Sequence, residues 1–233
     1  MKTYLSRVVC GALIAGLLAG CSSEQDANTN LPKLLATTLI SAVKAPKAAA
    51  QQVVVTPEMR RKIVTPVLQV NLASTGGSDF LQRVARRHDS FLGIIEVWQS
   101  SDNAQIFLRN GVVVGTRGIG RDIIAADAKY AINTLQTGGN RSGQRSFIVS
   151  DGDVTTTQFS YLCDMESLGT KSIIVVNQRF AVNHFRETCA TTAAGITPLS
   201  NEYWVEKSSG VVRKSKQWVG PAAGYFEMIL LRK

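Results

Sequence analysis

The chain has 233 residues, with 26 Lys and Arg against 17 Asp and Glu, two His and four Cys, for a formal charge of +9. That length suits one large domain or two small ones. Two histidines with no CxxC or HxxxH spacing exclude a recognisable metal centre, and the charge is scattered without a block of five like residues, so it permits an acidic partner without pointing to one.

The first twenty residues read as a secretory signal. Lys2 and Arg7 precede the apolar run "VVCGALIAGLLAG", which falls short of the about 20 residues needed to span a bilayer. "LAGC", ending at Cys21, has the form of a bacterial lipoprotein box, in which small residues admit the peptidase and the cysteine sulfur takes the lipid (palmitate among its acyl chains). Ser22 and Ser23 stand where an inner-membrane retention Asp would be, so the expected location is the outer membrane, lipid-anchored and facing the periplasm. Cleavage before Cys21 removes Lys2 and Arg7 and leaves 24 basic against 17 acidic residues, about +7. Nucleic acid is not an expected partner of such a protein; anionic lipid headgroups or acidic polysaccharide are. Cleavage also discards Cys10, so Cys163 and Cys189 are the thiols left in an oxidising compartment. They are expected to pair, closing a loop worth roughly 3–4 kcal/mol in the chain-entropy model; the alternative is two buried free thiols or a metal pair.

Residues 21–55 read as a lipidated tether rich in Ala, Ser, Thr and Lys. Within it "LPKLLATTLISAVKA" spaces Leu31, Leu34, Leu35, Leu39 and Val43 for one short amphipathic helix. A second helix start lies at "TPEMRRKI", with Thr56 to cap, Pro57 at the first position and Glu58 at the positive end. From there to residue 233 the pattern predicts a single β-rich periplasmic domain. "VLQVNLA", "SFLGIIEVWQS", "AQIFLR", "VVVGT", "RSFIVSD", "TTTQFSYLCDM", "KSIIVVNQRFAVNHFRETC", "NEYWVEK", "VVRKSKQWVG" and "YFEMILLRK" are strand runs separated by short turns. Such spacing means an antiparallel meander, not βαβ units. "DFLQRVARRHD" fits helix by composition and strand by alternation; strand is preferred.

The stretch "LRNGVVVGTRGIGRD" at 108–122 could suggest a phosphate-cradling loop. Its first glycine, Gly111, belongs to an Asn-Gly hairpin turn. "GIG" does precede a possible turn of helix, "DIIAAD", yet there is no GK[ST] and no full GxGxxG. Gly118 and Gly120 are better read as structural positions needing positive φ or close backbone packing.

These residues carry a resemblance. "VWQSSDNAQIFLRNGVVVGTRGIGRDIIAAD" resembles the central signature of the YjbF family of group 4 capsule polysaccharide lipoproteins, and "NEYWVEKSSGVVRKSKQWVGP" is similar to its C-terminal aromatic strand, turn and "SxQW-x-GP" strand. The paired cysteines, the second within "ETC", match as well. The likeness runs from about Thr56 to the C-terminus. "SDN" departs from the commoner Gly turn, and Lys216 stands where Arg is frequent. The resemblance implies an outer-membrane lipoprotein acting in secretion or assembly of capsule or exopolysaccharide. It also implies a mainly β fold, a large antiparallel meander curled into a half-barrel over a few short helices. It brings no catalytic residues and no cofactor beyond the lipid on Cys21.

The residues themselves do not assemble an enzyme. His88 and His184 have no spacing that suggests a triad. Among Glu96, Asp102, Asp122, Asp127, Glu202 and Glu227 nothing marks a glycosidase pair. Candidates for binding are Trp98, Trp204 and Trp218, all in predicted strands, where sugars stack on exposed indoles and the alternative is a core position. Arg109, Arg117, Arg121, Arg213, Lys214 and Lys216 could meet uronate carboxylates. Arg117 is the foremost, either as a recognition residue or as a structural partner of Asp122. Three functions remain: a non-enzymatic accessory factor binding polysaccharide or an export protein, a lipid or lipoprotein carrier using a half-barrel cavity, and a cryptic polysaccharide-processing enzyme.

Overall fold

A computed structural model describes residues 53–73, 76–152, 154–191 and 196–233. The expected signal segment, Cys21 and the helix expected at 31–43 lie outside these residues.

The alternating apolar runs become twelve strands: β1 (Val67–Leu72), β2 (Ser78–His88), β3 (Ile94–Gln99), β4 (Gln105–Arg109), β5 (Val112–Arg117), β6 (Ile123–Asp127), β7 (Arg141–Ser150), β8 (Thr156–Val175), β9 (Gln178–Ala190), β10 (Leu199–Glu206), β11 (Val212–Trp218) and β12 (Tyr225–Arg232). Two helices accompany them, α1 (Pro57–Lys62) and α2 (Lys129–Thr137). The sheet order is β5-β4-β3-β2-β1-β12-β11-β10-β9-β8-β7-β6, antiparallel throughout. Because β12 pairs with β1, the meander curls until its two ends join and β5 and β6 are left as edges. The result is nearly a closed barrel, further round than a half-barrel, since pairing the first and last strands removes two exposed edges.

Local chemistry explains most elements. In α1 the Thr56 hydroxyl accepts from the Met59 amide at 3.2 Å and Pro57 opens the helix, as the sequence predicts. "DFLQRVARRHD" is strand β2, and His88 is its last residue. "DIIAAD" corrects the expectation of a helical turn. It is β6, laddered onto β7, which would otherwise present a row of unpaired backbone groups. The helix follows as α2, where no element was expected. Its Ala131, Ile132 and Leu135 turn inward onto Met165, Phe185 and Tyr203 and close one end of the barrel.

The main core lies inside the barrel, where Trp98, Phe147, Tyr161 and Met228 are almost wholly buried and Phe147 meets Trp218 edge-on at 5.0 Å. A smaller cluster covers the outer face of β1 and β12, formed by Val55 and Ile63 with Val175 from the tip of the β8–β9 hairpin. Two shallow depressions are open to the outside. One, about 290 Å³, is lined by Asn140–Ser142 and Asp164–Glu166; the other, about 230 Å³, runs between Val53–Val55 and Ile174–Val176. The barrel interior, where a carrier would need a cavity, is occupied by side chains.

Cys163 and Cys189 sit directly opposite each other on β8 and β9, both buried, and form a disulfide. Replacing both by alanine should lower unfolding free energy by about 3 kcal/mol, read as a lower denaturant midpoint. Mass spectrometry of non-reduced peptides from exported protein should recover the linked pair; two alkylatable thiols would contradict it.

Candidate functional site

The stretch "TRGIGRD" spans the seam between β5 and β6. Asp122 organises it: its carboxylate accepts from the Gly118 amide (2.7 Å), the Ile119 amide (3.2 Å) and the Thr116 hydroxyl (3.0 Å). Thr116 Oγ1 in turn accepts from the Ile123 amide at 2.9 Å, so one threonine ties the end of β5 to the start of β6. Gly118 and Gly120 have φ of +79° and +86°, a region that L side chains enter only with strain. The turn also packs on the β11–β12 connection. A Cβ on Gly220 would lie 3.2 Å from the Arg121 carbonyl, and one on Gly120 3.6 Å from Ala222.

Arg117 does not pair with Asp122, whose oxygens are taken by the backbone amides and Thr116. It is exposed, and among the described residues it makes no side-chain hydrogen bond or ion pair. Arg121 does pair, with Asp151.

Inside the barrel lies a polar network that the sequence reading missed. Arg145 and Glu187 are 1% and 0% exposed and 3.1 Å apart. Asn201 and Tyr203 also donate to Glu187, at 2.8 and 3.1 Å. Arg145 Nη2 reaches the Val113 carbonyl at 3.4 Å, while the Val113 amide donates to Gln217 Oε1 at 2.9 Å. Gln217 also donates to the Gly111 carbonyl at 2.7 Å. Gly111, at φ +83°, lies so close to β11 that a Cβ would stand 2.6 Å from Val212. Burial opposes the charge on Arg145, but the Glu187 carboxylate and Tyr203 outweigh it and raise its pKa. Burial, with Glu187 close by, also pushes the Tyr203 phenol well up, so it stays a neutral donor. A signal was present: "RSFIV" and "FRETC" set Arg145 and Glu187 in phase with inward Phe147 and Phe185.

The remaining candidates separate. Trp98 and Trp218 are core residues. Trp204 points outward, but its ring is stacked on His184 at 4.5 Å and approached by Lys214 at 5.2 Å, so little of either face is free for a sugar. Lys214 pairs with Glu227, Arg213 with Glu206, and Lys216 lies over Tyr225. His184 is buried and hydrogen-bonded to Glu202 at 2.8 Å. Arg109 holds Asp89 through two bonds of 2.7 and 2.6 Å, which draws the Asp89 carboxyl below its ordinary range. Cys163, Glu187 and Cys189 come close enough to suggest a metal group, but the two sulfurs are joined to each other.

Against known proteins, the chain matches the family described as "Group 4 capsule polysaccharide lipoprotein gfcB, YjbF" over residues 33–231. It belongs to that family. Among solved structures it is similar to the hypothetical lipoprotein YmcC from Escherichia coli (K12), with a TM-score of 0.64 and 16% identity over 91% of this chain and 98% of that one. At that identity the likeness shows the fold. No curated protein matches. The two stretches that resemble the family's signatures thus meet in space, "TRGIGRD" against the glycine of "QWVGP".

Gly118→Val and Gly120→Val should each cost roughly 1 kcal/mol or more, through strained φ. Arg145→Ala should cost about 3–5 kcal/mol by stranding Glu187. Thermal melts of the three variants test both, and unchanged melting temperatures would remove the closure role assigned to these residues.

Proposed function

We propose that this chain is a non-enzymatic accessory lipoprotein of capsule or exopolysaccharide secretion, held in the outer membrane by the lipid on Cys21 and facing the periplasm. It works by binding the polysaccharide or an export partner. The family match carries the pathway. Support for binding at the outside comes from the interior, which is filled with aromatic side chains and a buried Arg145–Glu187 ion pair. Support for a non-catalytic role comes from the fate of the carboxylates: Glu187 and Asp122 spend their hydrogen bonds on structure, and His184 Nε2 is hydrogen-bonded to Glu202.

Arg117 is the binding residue this reading favours. It is an exposed guanidinium held on an ordered turn, a form suited to bidentate contact with a carboxylate of the polymer or of a partner protein. Arg117→Ala should leave the melting temperature unchanged and reduce surface-polymer yield in cells expressing it as the sole copy. Normal yield would take Arg117 out of the mechanism. Cys21→Ala should accumulate as uncleaved or mislocalised precursor, seen by fractionation. Normal cleavage with full membrane retention would end the lipid-anchor reading.

A further inference from the structure

The β2–β3 hairpin outruns β1 on one side, while β3 stays laddered to β4 as far as Ile95 opposite Arg109. Gln82 is the last β2 residue paired with β1, opposite Val67, yet β2 continues to His88 and turns back into β3 at Ile94. Its turn holds two adjacent apolar side chains out in solvent, Phe91 at 71% and Leu92 at 46% exposure. The turn is built to hold them there. Asp89 takes both Arg109 bonds and the Phe91 amide, and the Ile94 amide donates to Asn110. The Arg109 guanidinium lies 5.6 Å from the Phe91 ring.

Arg86, Arg87 and His88 are exposed just behind the turn; Arg86 lies 3.7 Å from Glu96, and Arg87 makes no ion pair among the described residues. Charges on an unpaired strand edge protect it from edge-to-edge association, which accounts for the arginines. It does not account for Phe91 and Leu92, which stay largely exposed although the Arg109 guanidinium lies over one part of the Phe91 ring. Adjacent apolar and basic groups on one tip match an anionic bilayer, which offers phosphates at its surface and an apolar layer just beneath. An acidic polysaccharide would use the arginines but has no place for Leu92. The opposite rim is mixed in charge, with Asp102, Asp122 and an Arg121–Asp151 pair in its connections beside exposed Arg117.

We propose that the β2–β3 tip is a membrane-docking element: Phe91 and Leu92 enter the interface of an anionic phospholipid bilayer while Arg86 and Arg87 meet its phosphates. This contact is separate from the lipid anchor and does not require it.

The test places a reporter at the tip. The whole processed chain carrying Phe91→Trp, with Leu92→Trp as a second reporter, is mixed with vesicles whose acyl chains are brominated. The vesicles are phosphatidylcholine alone or phosphatidylcholine and phosphatidylglycerol in equal parts. Native Trp98 and Trp218 are buried in the barrel, and the unsubstituted chain supplies the background that includes outward-facing Trp204. The expected result is extra quenching and a blue shift in the anionic vesicles. Both should weaken with added salt and disappear when Arg86→Glu and Arg87→Glu are introduced. Quenching no greater than that of the unsubstituted chain, with both reporters, overturns the proposal. Equal quenching in neutral vesicles overturns the role of the arginines. A shift on adding an acidic polysaccharide such as polygalacturonate, with none in vesicles, overturns it in favour of a glycan site.

Discussion

The barrel depends on one strand edge being satisfied from within. β5 has β4 on one side and no laddered partner on the other, yet it lies against the interior, where its unpaired N–H and C=O groups would find no water. At Val113 those groups are met by side chains that cross the barrel, Gln217 from β11 and Arg145 from β7. A buried guanidinium is tolerable only beside a buried carboxylate, and Glu187 supplies it, held by Asn201 and Tyr203. Desolvating two ions costs several kcal/mol each, and an apolar pair of similar volume would often be as stable. The network is therefore best understood as a device for position. It fixes where β5 rests, and with it the seam.

The meander was readable because inward and outward residues alternate with a period of two, and because Asn-Gly, Ser-Ser-Gly and similar turns separate the runs. The disulfide was readable from compartment and count. The helix α2 was not. Its N-terminal position is Ala128, which offers no side-chain cap, and its apolar residues Ala131, Ile132 and Leu135 make too short a stripe to stand out. The assignment of "DIIAAD" to helix failed for the related reason that pairing with β7 outweighs local propensity. How far the sheet curls was also hidden, since closure depends on β1 meeting β12 across nearly the whole chain.

Among the site residues, sequence located the turn but not its chemistry. Glycines and Asp122 mark a constrained loop, yet only the geometry shows that Asp122 serves amides and leaves Arg117 unpaired. The tryptophans illustrate a second limit. Strand phase separates inward Trp98 from outward Trp204 only once the register is known, and even then it does not reveal that His184 and Lys214 flank the outward ring.

The outer face from β9 to β12 is largely self-neutralised, with Arg186 near Glu202 and Lys214 on Glu227. Among the described residues, exposed arginines without an ion pair include Arg117 at one rim and Arg87 at the other. The proposed lipid on Cys21 would not choose between them, since a tether of residues 21–52, about 110 Å at most, permits either rim to face a membrane. Orientation must come from the folded surface itself. With the proposed β2–β3 tip at a bilayer, the seam turn and Arg117 face away from it, on the side where the proposed polymer or export partner would be met. Tip and seam are held at opposite ends of one filled barrel, so a contact at the membrane would set the direction of the other rim without any change in conformation.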